Sequence, residues 1–523
     1  MKQIRVKRNT YQDSFNLMLV ASKLRTLPGV IDAALFMGTL ANKKRLENTG
    51  YASEELELAK ANDLLIAIDV ADEEFSASVL EKIEEFLSGD KMLVGELEGE
   101  HTSVPQSMEE AIRNFSNPDL VSISLPGEYA GREARKAIEH GLHVFLFSDN
   151  VSLEEEVELK RLAQEKGLLM MGPDCGTARI GDNPLGFCNI VSSGEVGIVA
   201  ASGTGAQEII CLLDRYGIGI SHIIGTGGRD LQSSVGAITS RMGLFSLDED
   251  PKTKLIIFVS KPADVTPREN LVQLSKKLTK PVIFCFIGDT EHKYSEKNGC
   301  IFAQNLYHAA QLALSITKGN ALANPLTIEE FKQTHKEVVD LIRKSLAPGQ
   351  KYIRGLYSGG SLADETAQIL ALNLSSVHAG SGFGDVLPIQ NLEISSGHTI
   401  IDLGDDFFTH GTPHPMIDFS TRIKRFRQEV KDTSVAVILL DIVLGTNANP
   451  DPSFEMVDEI IQAKRNFSSQ GLILNVIVHI CGTDKDSQNY SKQVARFKQA
   501  GCWVFGSNVE AAMAATCLVS STE

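Results

Sequence analysis

The sequence predicts an α/β protein built from several parallel-sheet units in one chain of 523 residues. Two observations carry that prediction. Runs rich in Val and Ile alternate with helical stretches of about 10–15 residues, the pattern of parallel strands covered by helices on both faces. One strand–turn–helix pattern also occurs twice, about 160 residues apart along the chain. No run approaches the roughly 20 apolar residues of a membrane span, and Met1–Arg5 leads into no apolar leader. A cytoplasmic protein without membrane partners is expected.

Residues 1–90 predict a small α/β unit. Strand signals fall at 4–6, 33–37 and 63–70, with an amphipathic run at 14–27 and a helix at 73–87. Residues 88–106 carry Gly, Glu and Pro without periodicity and read as a linker. Residues 105–188 alternate strand (121–125), helix (130–140), strand (143–147), helix (153–166) and strand (168–171), half of a doubly wound, Rossmann-like unit.

Residues 190–320 and 350–523 read as two copies of one fold. In the first, a strand from Gly197 runs into Ser202-Gly203-Thr204, and in the second a strand from Ile353 runs into Gly359-Gly360-Ser361. Each turn opens a helix with Glu five residues after the glycine, Glu208 and Glu365. Strands 254–260 and 282–287 correspond to 435–440 and 472–480, and a polar helical connector at 328–345 separates the copies. Two lobes facing each other is the economical arrangement.

The chain carries 67 acidic against 50 basic side chains, a net −17. Nothing resembles a basic stripe for phosphodiesters, so nucleic acid is not an expected partner. Local backbone dipoles still bind small anions whatever the net charge. Eight scattered cysteines without metal spacing read as reduced core thiols.

Four segments are candidates for chemistry. A small-residue turn before a helix leaves amides unpaired at the positive end of the helix dipole, which suits phosphate or carboxylate. Ser202, Gly203, Thr204, Gly360 and Ser361 occupy such turns. The turn Gly225-Thr226-Gly227-Gly228-Arg229-Asp230 offers Gly227, Gly228 and a guanidinium at Arg229 for an anionic substrate, or is a tight loop with a solvated arginine. Leu444–Asp451 is the matching turn of the second copy. His414, fixed between two prolines, is a candidate proton-handling group. His410 and His414 with Asp405, Asp406 and Asp418 fit no standard metal spacing, and no metal is expected.

The segments Met171–Thr177, Val199–Thr204 and Gly225–Asp230 resemble the α subunit of succinyl-CoA synthetase. The whole chain, including Met37–Asn42 and Gly411–Asp418, resembles more closely the FdrA family of acyl-CoA synthetase-like proteins. The resemblance implies a CoA-binding-type domain, an α-like ligase lobe and a lobe like the C-terminal part of the synthetase β subunit, both lobes flavodoxin-like. It implies a phosphate cradle at Ser202, Gly203 and Thr204. Glu208 matches a glutamate that contacts the synthetase phosphohistidine. The sequence departs where the synthetase histidine stands: Gly288–Cys300 lacks the small residues that present it, and His292 does not inherit the role. Neither an ATP-grasp domain nor the synthetase's Gly-rich turn for the CoA nucleotide is recognisable.

Three functions follow. One is an acyl-CoA synthetase-like enzyme or subunit working on CoA thioesters and acyl phosphates. Another, implied by the resemblance, is a subunit of a carbamoyltransferase acting on carbamoyl phosphate and oxamate or oxalurate in allantoin breakdown. The third is a noncatalytic scaffold. The expected ligands are phosphate or an acyl phosphate and CoA, and the expected partners are separately encoded subunits or further copies of the chain.

Overall fold

A computed structural model describes residues 1–10, 12, 14–25, 27–39, 42–43, 46–47, 50–51, 53–72, 79–80, 82–87, 105, 107–289, 300–409 and 412–519. The expected linker, at all but a few positions, and both His292 and His410 lie outside the described residues.

The strands are β1 (Lys2–Lys7), β2 (Val30–Met37), β3 (Leu64–Val70), β4 (Leu120–Ile123), β5 (His143–Leu146), β6 (Met170–Met171), β7 (Thr177–Ile180), β8 (Asn183–Gly186) and β9 (Ser193–Ala201). They continue with β10 (Ile220–Gly225), β11 (Leu255–Ser260), β12 (Val282–Phe286), β13 (Ile301–Phe302), β14 (Tyr352–Tyr357) and β15 (Val377–Ala379). The last four are β16 (His398–Asp402), β17 (Val435–Val443), β18 (Asn475–Cys481) and β19 (Trp503–Phe505).

They form four sheets. The N-terminal unit is an antiparallel sheet in the order β1-β3-β2, packed against the helix Ser14–Arg25 through Leu17, Val20 and Leu24. The Rossmann-like half is a parallel sheet, β4-β5-β6. Its helix Leu153–Glu165 begins at a cap the sequence provides: Ser152 Oγ accepts from Glu155 N at 3.2 Å.

The first lobe has the order β13-β12-β11-β9-β10-β7-β8, and the second β15-β16-β14-β17-β18-β19. Pairing within β9–β13 and within β14–β19 is parallel. The hairpin β7–β8 joins β10 antiparallel. Residues 177–186, read in sequence with the preceding unit, therefore belong to the sheet of the first lobe. The first-lobe sheet is mixed rather than uniformly parallel, because a short hairpin extends its edge without needing a crossover helix.

β11 and β17 are buried on both faces, so they show long apolar runs instead of alternation. In each lobe the first strand of the parallel part is central, with successive connections running to opposite sides of it: β9 lies between β11 and β10, β14 between β16 and β17. A crevice opens at such a reversal, beyond the carboxyl ends of the strands.

The two lobes share one core. Ile209, Ile210 and Leu213 of the first pack in the same buried cluster as Leu362, Ala367, Ala512 and Ala515 of the second. The connector is helical, as Ile328–Thr334 and Lys336–Ser345, but not merely polar: Phe331, Val339 and Ile342 are buried in that cluster. The Leu444–Asp451 turn serves the same junction. Thr446 Oγ1 donates to Gly186 O at 2.8 Å, and Asn189 Nδ2 donates to Leu444 O at 2.9 Å.

Candidate active site between the lobes

The helices that follow β9 and β14, Gly203–Arg215 and Gly360–Ala371, start at the two reversals and point their N-termini at one another. Ser202 Oγ donates to Ser361 Oγ at 2.6 Å, and a methyl built on Gly359 would lie 2.8 Å from Thr204 Cγ2. Neither helix is capped by the side chain of its own N-cap residue, Ser202 or Gly359. Two sets of first-turn amides are thus presented together, at the point where both helix dipoles are most positive.

These turns wall a cavity of about 450 Å³ that extends to Ser124, Pro126 and Ser148 of the Rossmann-like half. Ser202, Gly203, Thr204, Gly360, Ser361, Gly227, Gly228 and His414 all line it. Gly227 has φ +83°, and a side chain there would meet Pro173 O at 2.2 Å, so close backbone approach already requires glycine.

His414 enters the cavity in a different state from the one expected. Met416 N donates to its Nδ1 at 3.2 Å, which leaves the proton on Nε2. Burial, with Lys261 adding to it, pushes the imidazole down to about 4. At neutral pH it is a fixed neutral donor, able to polarise an oxygen, rather than an acid–base shuttle.

Two predicted residues are elsewhere. Glu208 does not line the cavity: its Oε2 accepts from His479 Nε2 at 2.7 Å and its Oε1 from Asn508 N at 3.2 Å, with both side chains of the Glu208–His479 pair 1% exposed. It ties the first lobe to the start of the second lobe's last helix, Asn508–Val519. Burial favours the neutral acid, but His479 and the amide outweigh it and hold the carboxyl below the usual range. Arg229, 34% exposed, does not line the cavity and is committed within the protein. Its Nε pairs with the buried Glu156 at 2.9 Å and its Nη2 donates to Val151 O at 2.8 Å, clamping the Rossmann-like half to the first lobe. Asp418, drawn into the metal alternative, instead pairs with Arg25 of the N-terminal unit. Among the described residues no cluster of three metal-ligating side chains forms.

The residue that sequence reading missed is Lys261, on the cavity wall immediately after β11. Its position at the carboxyl end of a central strand was the available signal. Burial works against its charge, yet Asp402, Asp364, Asp174 and Asp405 more than compensate, and the ammonium is held above its ordinary range. The carboxylates respond in the opposite sense. Burial lifts Asp402 to about 7, and Asp174 and Asp364 to about 6, each opposed by Lys261.

The cleft therefore combines amide dipoles, several hydroxyls, the Lys261 ammonium and a neutral imidazole with carboxyls that change protonation near neutrality. Comparison with known proteins gives this arrangement a context. The uncharacterized protein YahF of Escherichia coli is 37% identical over 499 residues, 95% of each chain. The chain belongs to the YahF family. A CoA-ligase family model matches residues 356–518. Subunit alpha 1 of an ADP-forming succinate–CoA ligase from Archaeoglobus fulgidus is 27% identical over 191 residues, 36% of this chain and 64% of that one. The alpha subunit of malate–CoA ligase from Methylorubrum extorquens is 26% identical over 203 residues, 37% of this chain and 67% of that one. These matches place the YahF family member described here in the CoA-ligase superfamily.

Residues 1–101 match the model of the AllF heavy metal-associated domain. The matched stretch contains no cysteine and one histidine, His101. It offers no thiolate to a soft metal ion and a single imidazole, a donor set that does not fit a thiolate site. Among the described residues no helix is long and apolar enough to cross a membrane.

Proposed function

We propose that the interlobe cleft binds the phosphoryl end of an acyl phosphate and supports acyl transfer between phosphate and an acceptor such as the CoA thiol. The observation that carries this reading is the meeting of two uncapped helix N-termini at Ser202 and Ser361, 2.6 Å apart between hydroxyls, on the cavity wall. Attack of the acceptor sulfur on the acyl carbon forms the new carbon–sulfur bond as the bond to the phosphate oxygen breaks, and the thiol proton ends on the released phosphate. The departing phosphate gains negative charge where preorganised amides already point, and such fixed dipoles act without reorganising during the step. His414 Nε2–H is the donor for the acyl oxygen. Both lobes have the strand order of doubly wound sheets around the site, which supports the flavodoxin-like reading of each. The likeness to alpha subunits supports an assembly with a separately encoded partner or with further copies.

A second reading, with carbamoyl phosphate as the acyl phosphate, is favoured by Asp174, Asp402 and Asp405 on the same wall. A carbamoyl group carries an NH2 that needs acceptors, whereas a plain acyl chain has no donor for those carboxylates. Calorimetric titration with inorganic phosphate, acetyl phosphate, carbamoyl phosphate and CoA tests both readings. The three phosphate compounds are expected to compete for one site, with carbamoyl phosphate tighter than acetyl phosphate under the second reading. Failure of every phosphate compound to bind would sink the proposal.

A further inference from the structure

Lys261 belongs to the first lobe but reaches the second. A methyl built on Gly360 would lie 2.9 Å from Lys261 Nζ and 2.3 Å from Asp402 Oδ2, so ammonium and carboxylate both stand at the start of the Gly360–Ala371 helix. Among the described residues the ammonium makes no hydrogen bond and no close ion pair, and four aspartates act on it only through their field. Lys261 is only partly open to water, and an ammonium so placed without direct partners is left to be completed by a ligand in the cavity it lines. A second group on the same wall is also incomplete: Ser148 Oγ has no hydrogen-bond partner, in a residue only 5% exposed. Gln207 Oε1, in a lining residue 1% exposed, is likewise without one.

We infer that Lys261 is the cross-lobe anchor for the anion in the cleft, its ammonium and the first amides of the Gly360–Ala371 helix gripping the same phosphoryl oxygens. The inference rests on the reading of the cleft as a phosphate site and adds to it a named cation and a dependence on protons. The groups facing Lys261 come from each surrounding element: Asp174 from the turn after β6, Asp402 and Asp405 from the end of β16, Asp364 from the second-lobe helix, and His414 from the Pro-bounded loop. An anion entering beside them raises the cost of every ionised carboxylate, so binding draws protons onto the aspartates. Anion affinity then falls as pH rises, by about tenfold per pH unit for each proton taken up. The lysine is a binding device; the aspartates set the pH at which it is available.

Calorimetry on the full chain with sulfate, which does not titrate in this range, and with inorganic phosphate separates the outcomes. For the unaltered protein, sulfate is expected to bind more weakly at pH 8.5 than at pH 6. Lys261→Met is expected to weaken both anions by about tenfold to a hundredfold, the worth of a charged hydrogen bond. Asp402→Asn is expected to tighten sulfate at pH 8.5 and flatten its pH dependence. Because Lys261→Met leaves the carboxylates unbalanced, the pair Asp402→Asn and Lys261→Met/Asp402→Asn, which removes one charge of each sign, guards against a folding defect. If the unaltered protein binds phosphate and the double variant binds it as well as Asp402→Asn does, the lysine inference is overturned while the phosphate site stands. If the unaltered protein binds neither anion, the reading of the cleft itself falls.

Discussion

Glu208 and Glu365 occupy the same place in the two lobes, five residues into a helix that starts at the cleft, and they live in opposite electrostatic worlds. Each crosses the lobe boundary to hold the start of a helix in the other lobe: Glu208 accepts from Asn508 N, and Glu365 from Leu306 N at 2.7 Å. Glu208 has His479 beside it and is held below the usual carboxylate range. Glu365 has only neutral donors, Leu306 N and Asn508 Nδ2 at 2.8 Å, and burial pushes it up to about 8. Similar positions in a repeated pattern thus specify the same cross-lobe reach without specifying charge.

The two turns differ in the same way. The second-lobe turn is locked by a buried pair, Arg422 and Asp441 at 2.6 Å with both side chains 0% exposed, and Asp441 also accepts from Ser358 N and Gly359 N at 2.8 Å each. The first-lobe turn is held instead by the Ser202–Ser361 contact and by close packing of Gly205, where a methyl would lie 2.2 Å from Ser202 Oγ. One lobe supplies a rigid wall, and the other supplies the cation at Lys261.

The largest test of this asymmetry is Arg422→Leu. It strands the Asp441 charge in the core and is expected to cost about 3–5 kcal/mol in a urea unfolding experiment. A loss below about 1 kcal/mol would show that the second-lobe turn is not held by the pair. Glu208→Gln is expected to cost about 1.5–3 kcal/mol at pH 7, the worth of charged hydrogen bonds. Since the folded state lowers the Glu208 carboxyl, its contribution is present above the ordinary carboxyl range and is lost as pH falls through its folded value. Melting curves of the variant should lose that part of the acid sensitivity.

Glu365→Gln is expected to have the smallest effect below about pH 4, within about 0.5 kcal/mol, because the side chain is neutral in both the folded and the unfolded protein there. Its sign is set by a raised carboxyl. The fold favours the protonated acid, so its contribution is complete below the ordinary carboxyl range and is lost as pH rises toward about 8. The variant should therefore gain stability relative to the unaltered protein as pH rises from the ordinary carboxyl range to about 8, and gain no more above it. Equal pH profiles for the two glutamate variants would erase the distinction between the lobes.

The sequence by itself determined the order of strands and helices, the repetition of the strand–turn–helix units, and the small-residue turns at Ser202–Thr204 and Gly360–Ser361. These are local matters: backbone sterics at glycine, apolar runs of strand length, and amides left open at helix starts. Tertiary structure decided which charges meet. Arg229 looked available in its turn and is clamped to Glu156; Glu208 matched a catalytic glutamate and instead pairs with His479, 271 positions away along the chain. Lys261 carried no motif, yet folding brings it against Gly360 of the other lobe. Coulomb interactions and desolvation depend on distances across the folded molecule, and spacing along the chain does not encode them.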